Sequence, residues 1–286
     1  MNDAIKTDEI VDRHQTEKVP TGVNWHDLTP MSPLDTLREL FLPLPWLIAS
    51  WALYASPIWV AGSIASFMFF LCALRLNHEA IHNNLGISNR CDQIILHSLS
   101  FIMGGSNHAV AHGHLVHHKH VMGPEDFEGK CGHLTLQEVL LYGPRFVFDI
   151  NRAAWAGSRM HFRRRIAFDW VLNAVMITTA VTSGYRFLIF HVAAMIIAQC
   201  LTAFFAVWIT HQGVSAEITV ARSQRGLLAR LAYLMFYHRE HHLFPKVPVR
   251  RLPILAARLD AGIQGYADNR RPVVPLFDGR SRNHGK

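Results

Sequence analysis

Two long stretches of this chain carry almost no charge, and they restrict its fold more than any other feature. Residues 40–74 contain no charged side chain, and residues 170–216 contain one, Arg186. A bilayer crossing takes about 20 apolar residues, so each stretch is long enough for two. Ser56-Pro57 interrupts the first and Gly184-Tyr185-Arg186 the second, where turns would fall. The reading is two helical hairpins, with crossings at about 41–56, 58–77, 168–184 and 187–210. In lipid, a helix satisfies every backbone group within one segment. The expected fold class is therefore an all-α integral membrane protein with four transmembrane helices. The competing reading, buried helices of a soluble protein, has to hide two paired charge-free blocks in a core. The rest of the chain is polar. Hydrophobic residues make up 50% and charged residues 17%, and mean hydropathy is +0.13. That is too low for a bundle that never leaves the bilayer and too high for an ordinary soluble enzyme. The apolar content excludes a disordered chain. The four cysteines are scattered with no C-x-x-C, so a disulfide scaffold or cysteine zinc finger is not expected.

Charge tests the topology. With two hairpins, residues 1–40, 79–165 and 211–286 share one side of the membrane, and they hold 26 of the 28 Lys and Arg. The positive-inside rule puts that side in the cytoplasm, with both termini. The net charge of +7 follows from this bias, and no nucleic-acid partner is needed to explain it. Residues 1–39 show no basic segment leading into an apolar core, so no cleavable signal peptide is expected. Shorter apolar runs at 94–105 and 134–142 cannot span and read as interfacial or re-entrant helices. The layout is a polar segment 1–39, a membrane body 40–260 and a basic tail 261–286.

Histidine is the compositional outlier, with 19 in all and ten between His78 and His133. Three patterns stand out: His78 and His82 as H-x-x-x-H, then His114, His117 and His118, then His238, His241 and His242, the last two both H-x-x-H-H. On a helix these spacings share a face, so each cluster is expected to aim two or three ring nitrogens at one point. Imidazole suits Fe, Zn, Cu and Ni. Eight histidines are too many for one four-coordinate zinc but suit two ions in one pocket. The topology, drawn from hydropathy, brings all three clusters to the cytoplasmic face as a helical cap. His211, at the end of the fourth crossing, would join them as a ninth ligand. Glu79, Asp126, Glu128 and Glu240 are candidate partners for the rear nitrogens of ligating rings. His108, His112, His120 and His133 read as supporting or solvated. His97, His161 and His191 read as structural.

Two other classes compete. His78-Glu79-x-x-His82 is literally H-E-x-x-H, the zinc-protease signature in which Glu is the general base. It leaves six clustered histidines unexplained. A metal transporter would bring ligands to the bilayer midplane, whereas these lie past the helix ends.

The three histidine clusters, the four-crossing layout and the tail His241-His242-Leu243-Phe244-Pro245-Lys246-Val247-Pro248 resemble the membrane-bound fatty acid desaturases and their hydroxylase and ketolase relatives. The tail is similar to the segment after the third box in bacterial desaturases, so the resemblance implies a bacterial inner membrane. It also implies a centre of two Fe ions held by His78, His82, His114, His117, His118, His238, His241 and His242. His211 matches an isolated histidine that family members place between boxes two and three. O2 would be the co-substrate and a lipid or fatty acyl chain the substrate. No fused electron-carrier domain is visible, so electrons are expected from a separate donor of the ferredoxin, rubredoxin or cytochrome b5 type. The expected activity is desaturation, with hydroxylation or ketolation of a fatty acyl or carotenoid substrate as the alternative. Zinc has no redox chemistry with which to attack an unactivated C–H bond. The segment 120–129, with Glu125-Asp126-Phe127-Glu128, is only loosely similar to the acidic stretch that some members carry after box two.

Overall fold

The computed structural model describes residues 19–214 and 219–275. Part of the polar N-terminal segment (1–18) and part of the basic tail (276–286) lie outside the described residues. Every regular element among the described residues is helical.

Local chemistry starts and stops the helices where the sequence offers caps. Ser32 caps α1 (Pro33–Phe41) by accepting the Asp35 amide at 3.2 Å. Ser88 and Ser106 do the same for α4 (Asn89–Met103) and α5 (Asn107–His120). Thr135 and Glu138 form a reciprocal capping box on α6 (Leu136–Gly157). Between α1 and α4 lie α2 (Leu44–Tyr54) and α3 (Ala61–Ile81), paired across a turn at Ser56-Pro57. The Ser66 hydroxyl donates to Tyr54 Oη at 3.0 Å, which fixes their register. The second apolar block forms α7 (Met160–Ser183), closed by Gly184 at φ +65°, and α8 (Arg186–Cys200). A π-helical segment, Ala203–Trp208, leads into α9 (Ile209–His211), and this second half bends 41° from α8. The remaining α10 (Gly226–Leu231), α11 (His238–Leu243) and α12 (Leu252–Gly262) are short and belong to the polar cap.

Two helices, α3 and α7, are long and apolar enough to cross a membrane, or three if α8 and its bent continuation count as one. The segment expected to cross at 41–56 is shorter than expected. Pro43 and Pro45 break it, and α2 has 11 residues, about 16 Å of rise against a hydrocarbon core of about 30 Å. The apolar run 134–142 is the start of a 22-residue amphipathic helix, α6.

α3 is the central post. Phe69, Phe70, Ala73 and Leu76 on it pack with Leu96 and Leu99 of α4 and Met195 of α8. Arg75, also on α3, is buried and grips Glu39 of α1 through two nitrogens, one at 2.8 Å, while its third donates to the Tyr233 carbonyl at 2.9 Å. A second core gathers Leu243, Phe244, Leu252, Leu255 and Leu259 around α12. Asp35 accepts Arg251 at 3.0 Å and ties that core to the N-terminal arm. Gly143 lets α6 cross α8 closely, because a Cβ there would strike the Cys200 carbonyl. These contacts set the ends of α3, α5, α9 and α11 facing one another.

Candidate metal centre

Nine histidines converge at that meeting point, in two groups. His78 and His82 from the end of α3, His114 and His118 from α5, and His241 from α11 form one. His117 from α5, His211 from α9, and His238 and His242 from α11 form the other. The groups share a wall, where the His118 and His242 rings stack at 4.3 Å. All nine are buried or nearly so; His114 is the most open, with 13% of its side chain exposed.

Two rings of each H-x-x-H-H cluster share a target, at the lower end of the two or three expected, and the third ring turns to the other group. Each cluster is divided. On α5, His114 and His118 turn to the first group and His117 to the second. On α11, His238 and His242 turn to the second and His241 to the first. Residues i+3 and i+4 are rotated by about 100° from each other, so two adjacent centres can take one ring each, and the packing of α3, α5, α9 and α11 decides which ring goes to which.

Donor chemistry identifies what the groups fit. In the first, Nε2 atoms stand in a string: His78 to His241 at 2.8 Å, His241 to His118 at 2.9 Å, His118 to His114 at 3.2 Å, and His114 to His82 at 3.0 Å. In the second, His211 Nε2 stands 3.0 Å from both His117 and His238, and His238 stands 3.1 Å from His242. A ring nitrogen has either one lone pair or one proton. His118, His241, His211 and His238 each face two other Nε2 atoms and cannot satisfy both by hydrogen bonding. A cation shared by the lone pairs satisfies all of them. Burial, reinforced by neighbouring imidazoles, pulls His118, His238, His241 and His242 well below the ordinary histidine range. Neutral rings are the ligand form. The donor set therefore fits two metal ions.

The rear nitrogens differ. His117 Nδ1 meets Asp126 Oδ2 at 2.7 Å, and that carboxylate also accepts the amides of Met122 and Gly129 at 2.8 Å each. Burial opposes protonation of His117, but the Asp126 hydrogen bond and charge hold its pKa above the ordinary value. Burial likewise works against ionised Asp126, and His117 outweighs it and holds the carboxyl low. His211 Nδ1 donates to the Val220 carbonyl at 3.1 Å. Glu128 Oε2 is 3.7 Å from His114 Nδ1, beyond a hydrogen bond. Glu240 is buried but serves the scaffold, accepting Ser223, Arg225 at 2.9 Å and Tyr266 at 3.2 Å.

Glu79 sits behind His78, with Oε1 3.5 Å from Nδ1 and both oxygens 3.2 Å from the Val249 amide. A protease general base has to stand on the metal side, and this carboxylate does not.

The other histidines lie elsewhere. His97 and His108 meet Asp169 at 2.6 and 3.0 Å, and Ser106 donates to the same carboxylate at 2.8 Å. This network ties the start of α5 to α7. It was missed because Asp169 lies in a segment read as a crossing, although a lone carboxylate there is itself a signal. His191 Nε2 donates to the Ile102 carbonyl at 2.8 Å. His120 lies 3.7 Å from Glu125, while His133 and His161 are exposed. His112 is half-buried, and a Cβ at position 157 in place of glycine would meet its Nε2.

An apolar cavity of about 440 Å³ reaches both groups. His78, His114 and His238 form part of its wall, and Phe67, Leu71 and Leu74 of α3, Phe205 and Val207 of the π segment, and Leu228, Leu231 and Met235 around α10 form much of the rest. No reading of the sequence picked out these lining residues, because they come from five distant segments.

Fold and site define a helical membrane protein with two adjoining histidine groups able to hold metal. A family model described as fatty acid desaturase matches residues 49–273. The chain belongs to the fatty acid desaturase family, which places it among the oxidoreductases. A search of curated proteins and a search of solved structures found no match.

Proposed function

We propose that this protein is an O2-dependent di-iron oxidoreductase that removes hydrogen from a lipid chain, and that it is a fatty acyl desaturase. The observation that carries this is the pairing of two all-imidazole groups with an apolar cavity whose wall includes three of their rings. His78, His82, His114, His118 and His241 would hold one iron, and His117, His211, His238 and His242 the other. Five nitrogens exceed the four that tetrahedral zinc takes. Bound iron would supply, with O2, the oxidant that no side chain provides.

The chain's own part is positioning and exclusion of water. Phe67, Leu71 and Leu74 confine an alkyl chain against the faces of His78 and His114. Besides the histidines, Asn77, Glu128, Thr202 and Thr210 are the sparse polar groups along the wall. Exposed Leu227 and Leu231 on α10 lie beside the cavity and suit contact with acyl chains at the bilayer surface. Asp126 and the Val220 carbonyl orient two ligand rings.

The proposed topology has four crossings within a body spanning 40–260, the first made by α2 together with the residues that flank it on either side, since α2 alone is too short, and the histidine cap and both termini in the cytoplasm. The opposite end supports it: Trp59 and Phe190 stack at 5.0 Å with Arg186 5.4 Å above Phe190, an aromatic and basic anchor at an interface. The electron donor is a separate protein of the ferredoxin, rubredoxin or cytochrome b5 type.

Elemental analysis of the detergent-purified protein tests the metal, with about two irons per chain expected from the two groups. One zinc and no iron would revive the protease reading, as would loss of all activity in Glu79→Gln. Mass spectrometry of lipids after expression tests the reaction. Loss of two hydrogens supports a desaturase; gain of oxygen refutes it in favour of hydroxylation or ketolation.

A further inference from the structure

The outer corner between α6 and α7 is unrelated to the metal centre. It holds a surface groove of about 680 Å³ between Val147, Phe148 and Arg152 of α6 and Trp170 of α7. Its floor is ordered. Trp155 and Trp170 stack at 5.1 Å with 21° between planes, and the Trp170 indole N–H donates to Asn151 Oδ1 at 2.9 Å. The Arg163 guanidinium lies 5.9 Å from the Trp155 ring centre and donates to the Ala156 carbonyl at 3.1 Å.

Three features coincide there. The first is charge: residues 145–165 carry six arginines and one acid, Asp149, which Arg145 already engages at 3.2 Å. Arg152 and Arg164 are exposed. The second is apolar exposure: Phe148 is 68% exposed, and below the groove Val171 and Val175 of α7 are 57% and 50% exposed. The third is level. The groove lies where α7, apolar enough to span, passes from Arg163, Arg164 and Arg165 into its charge-free length after Asp169, a level where the bilayer gives way to headgroups and where tryptophan pairs are at home. Arginine recognises phosphate through paired N–H donors. An acidic protein partner would account for the arginines, but not for the apolar strip running from the groove down a lipid-facing helix.

We propose that this groove binds an anionic glycerophospholipid of the surrounding leaflet. Its phosphate sits against Arg152, with Arg163 and Arg164 beside it, and its acyl chains run along Trp170, Val171 and Val175. The proposal rests on the membrane placement of α7 and not on the identity of the metal.

The test uses the full-length, metal-loaded protein in phosphatidylcholine vesicles doped with acyl-brominated phosphatidylglycerol or acyl-brominated phosphatidylcholine, read as quenching of tryptophan fluorescence. Phosphatidylglycerol should quench at a mole fraction about tenfold lower, and high salt should reduce the difference. Arg152→Gln combined with Arg164→Gln should bring the two lipids within about twofold. Trp170→Phe should lose the phosphatidylglycerol-specific part of the signal. If the double variant does not keep wild-type melting and metal content, Arg152→Gln alone, an exposed site, carries the comparison. Equal quenching by both lipids in the wild type, or full preference in the arginine variant, overturns the proposal. Preference retained while turnover with an acidic electron carrier is lost also overturns it, and assigns the patch to protein docking.

Discussion

The two histidine groups share a wall but are held in place differently. In the four-histidine group, rings are fixed from behind: His117 by Asp126 at 2.7 Å and His211 by the Val220 carbonyl at 3.1 Å. In the five-histidine group the neighbouring carboxylates stand off, Glu79 at 3.5 Å from His78 and Glu128 at 3.7 Å from His114. A ring anchored through Nδ1 presents its Nε2 lone pair in one orientation. A ring without that anchor depends on packing and on the ion itself. The five-histidine group also gives two rings to the cavity wall, the four-histidine group one. One half is therefore preorganised, and the other is more open to the substrate.

Removing a ligand breaks the comparison most severely. His241→Ala and His242→Ala should each lower activity roughly a hundredfold or more, above the usual effect of losing a partner behind a ligand. The first should deplete the five-histidine group of metal and the second its neighbour. Metal analysis with a spectroscopic readout of each site checks this, and full retention of metal and activity in either variant contradicts the assignment.

Asp126→Asn comes next. It leaves every ligand in place but removes the charge behind His117, so metal affinity of the four-histidine group should fall about 10- to 100-fold. Competition with a chelator measures it. If the five-histidine group weakens instead, the division of the rings is wrong.

Acidity separates His117 from lowered rings in both groups by the sign of its response. His118, His238, His241 and His242 have lowered pKa values in the fold, while an unfolded histidine titrates near 6.5. Their contribution is present above about pH 6.5 and is lost as pH falls below it, because the unfolded chain then binds more protons. His117 is raised, so its contribution is present below 6.5 and is lost as pH rises through its folded value. Asp126 is lowered, so its contribution persists until pH drops below about 3.8. Four rings outweigh one, and the metal-free protein should melt lower at about pH 5.5 than at 7.5. A flat or opposite trend in calorimetry would contradict the burial of neutral rings.

The smallest effect should come from Glu128→Gln. At 3.7 Å from His114 it makes no hydrogen bond there, so metal affinity should change less than about threefold. A change as large as that of Asp126→Asn would show that the two groups are supported alike.

Much of this was legible in the chain. The charge-free stretches announced α3, α7 and the α8–α9 pair. The histidine spacing picked out eight of the nine rings that converge, and the place of His211 at the end of the fourth crossing added the ninth. What stayed hidden depended on distance. Two prolines cut the segment at 41–56 to a helix too short to cross, a local signal outweighed by the apolar count around it. The cavity wall could not be read, because Leu71, Val207 and Met235 meet only after folding. Asp169 was legible as a lone carboxylate at the head of a span, but its partners His97 and His108 lie 72 and 61 residues away.

The sequence by itself determined which imidazoles cluster, since a 3.6-residue turn fixes what lies on one side of a helix whatever surrounds it. Tertiary structure alone decided how they are shared. His78 and His241 come within 2.8 Å across 163 residues of chain, and whether a ring turns to one centre or the other depends on how α3, α5, α9 and α11 are rotated against one another. That rotation is set by packing around α3 and by tethers such as Arg75 with Glu39, contacts between segments that no local pattern encodes.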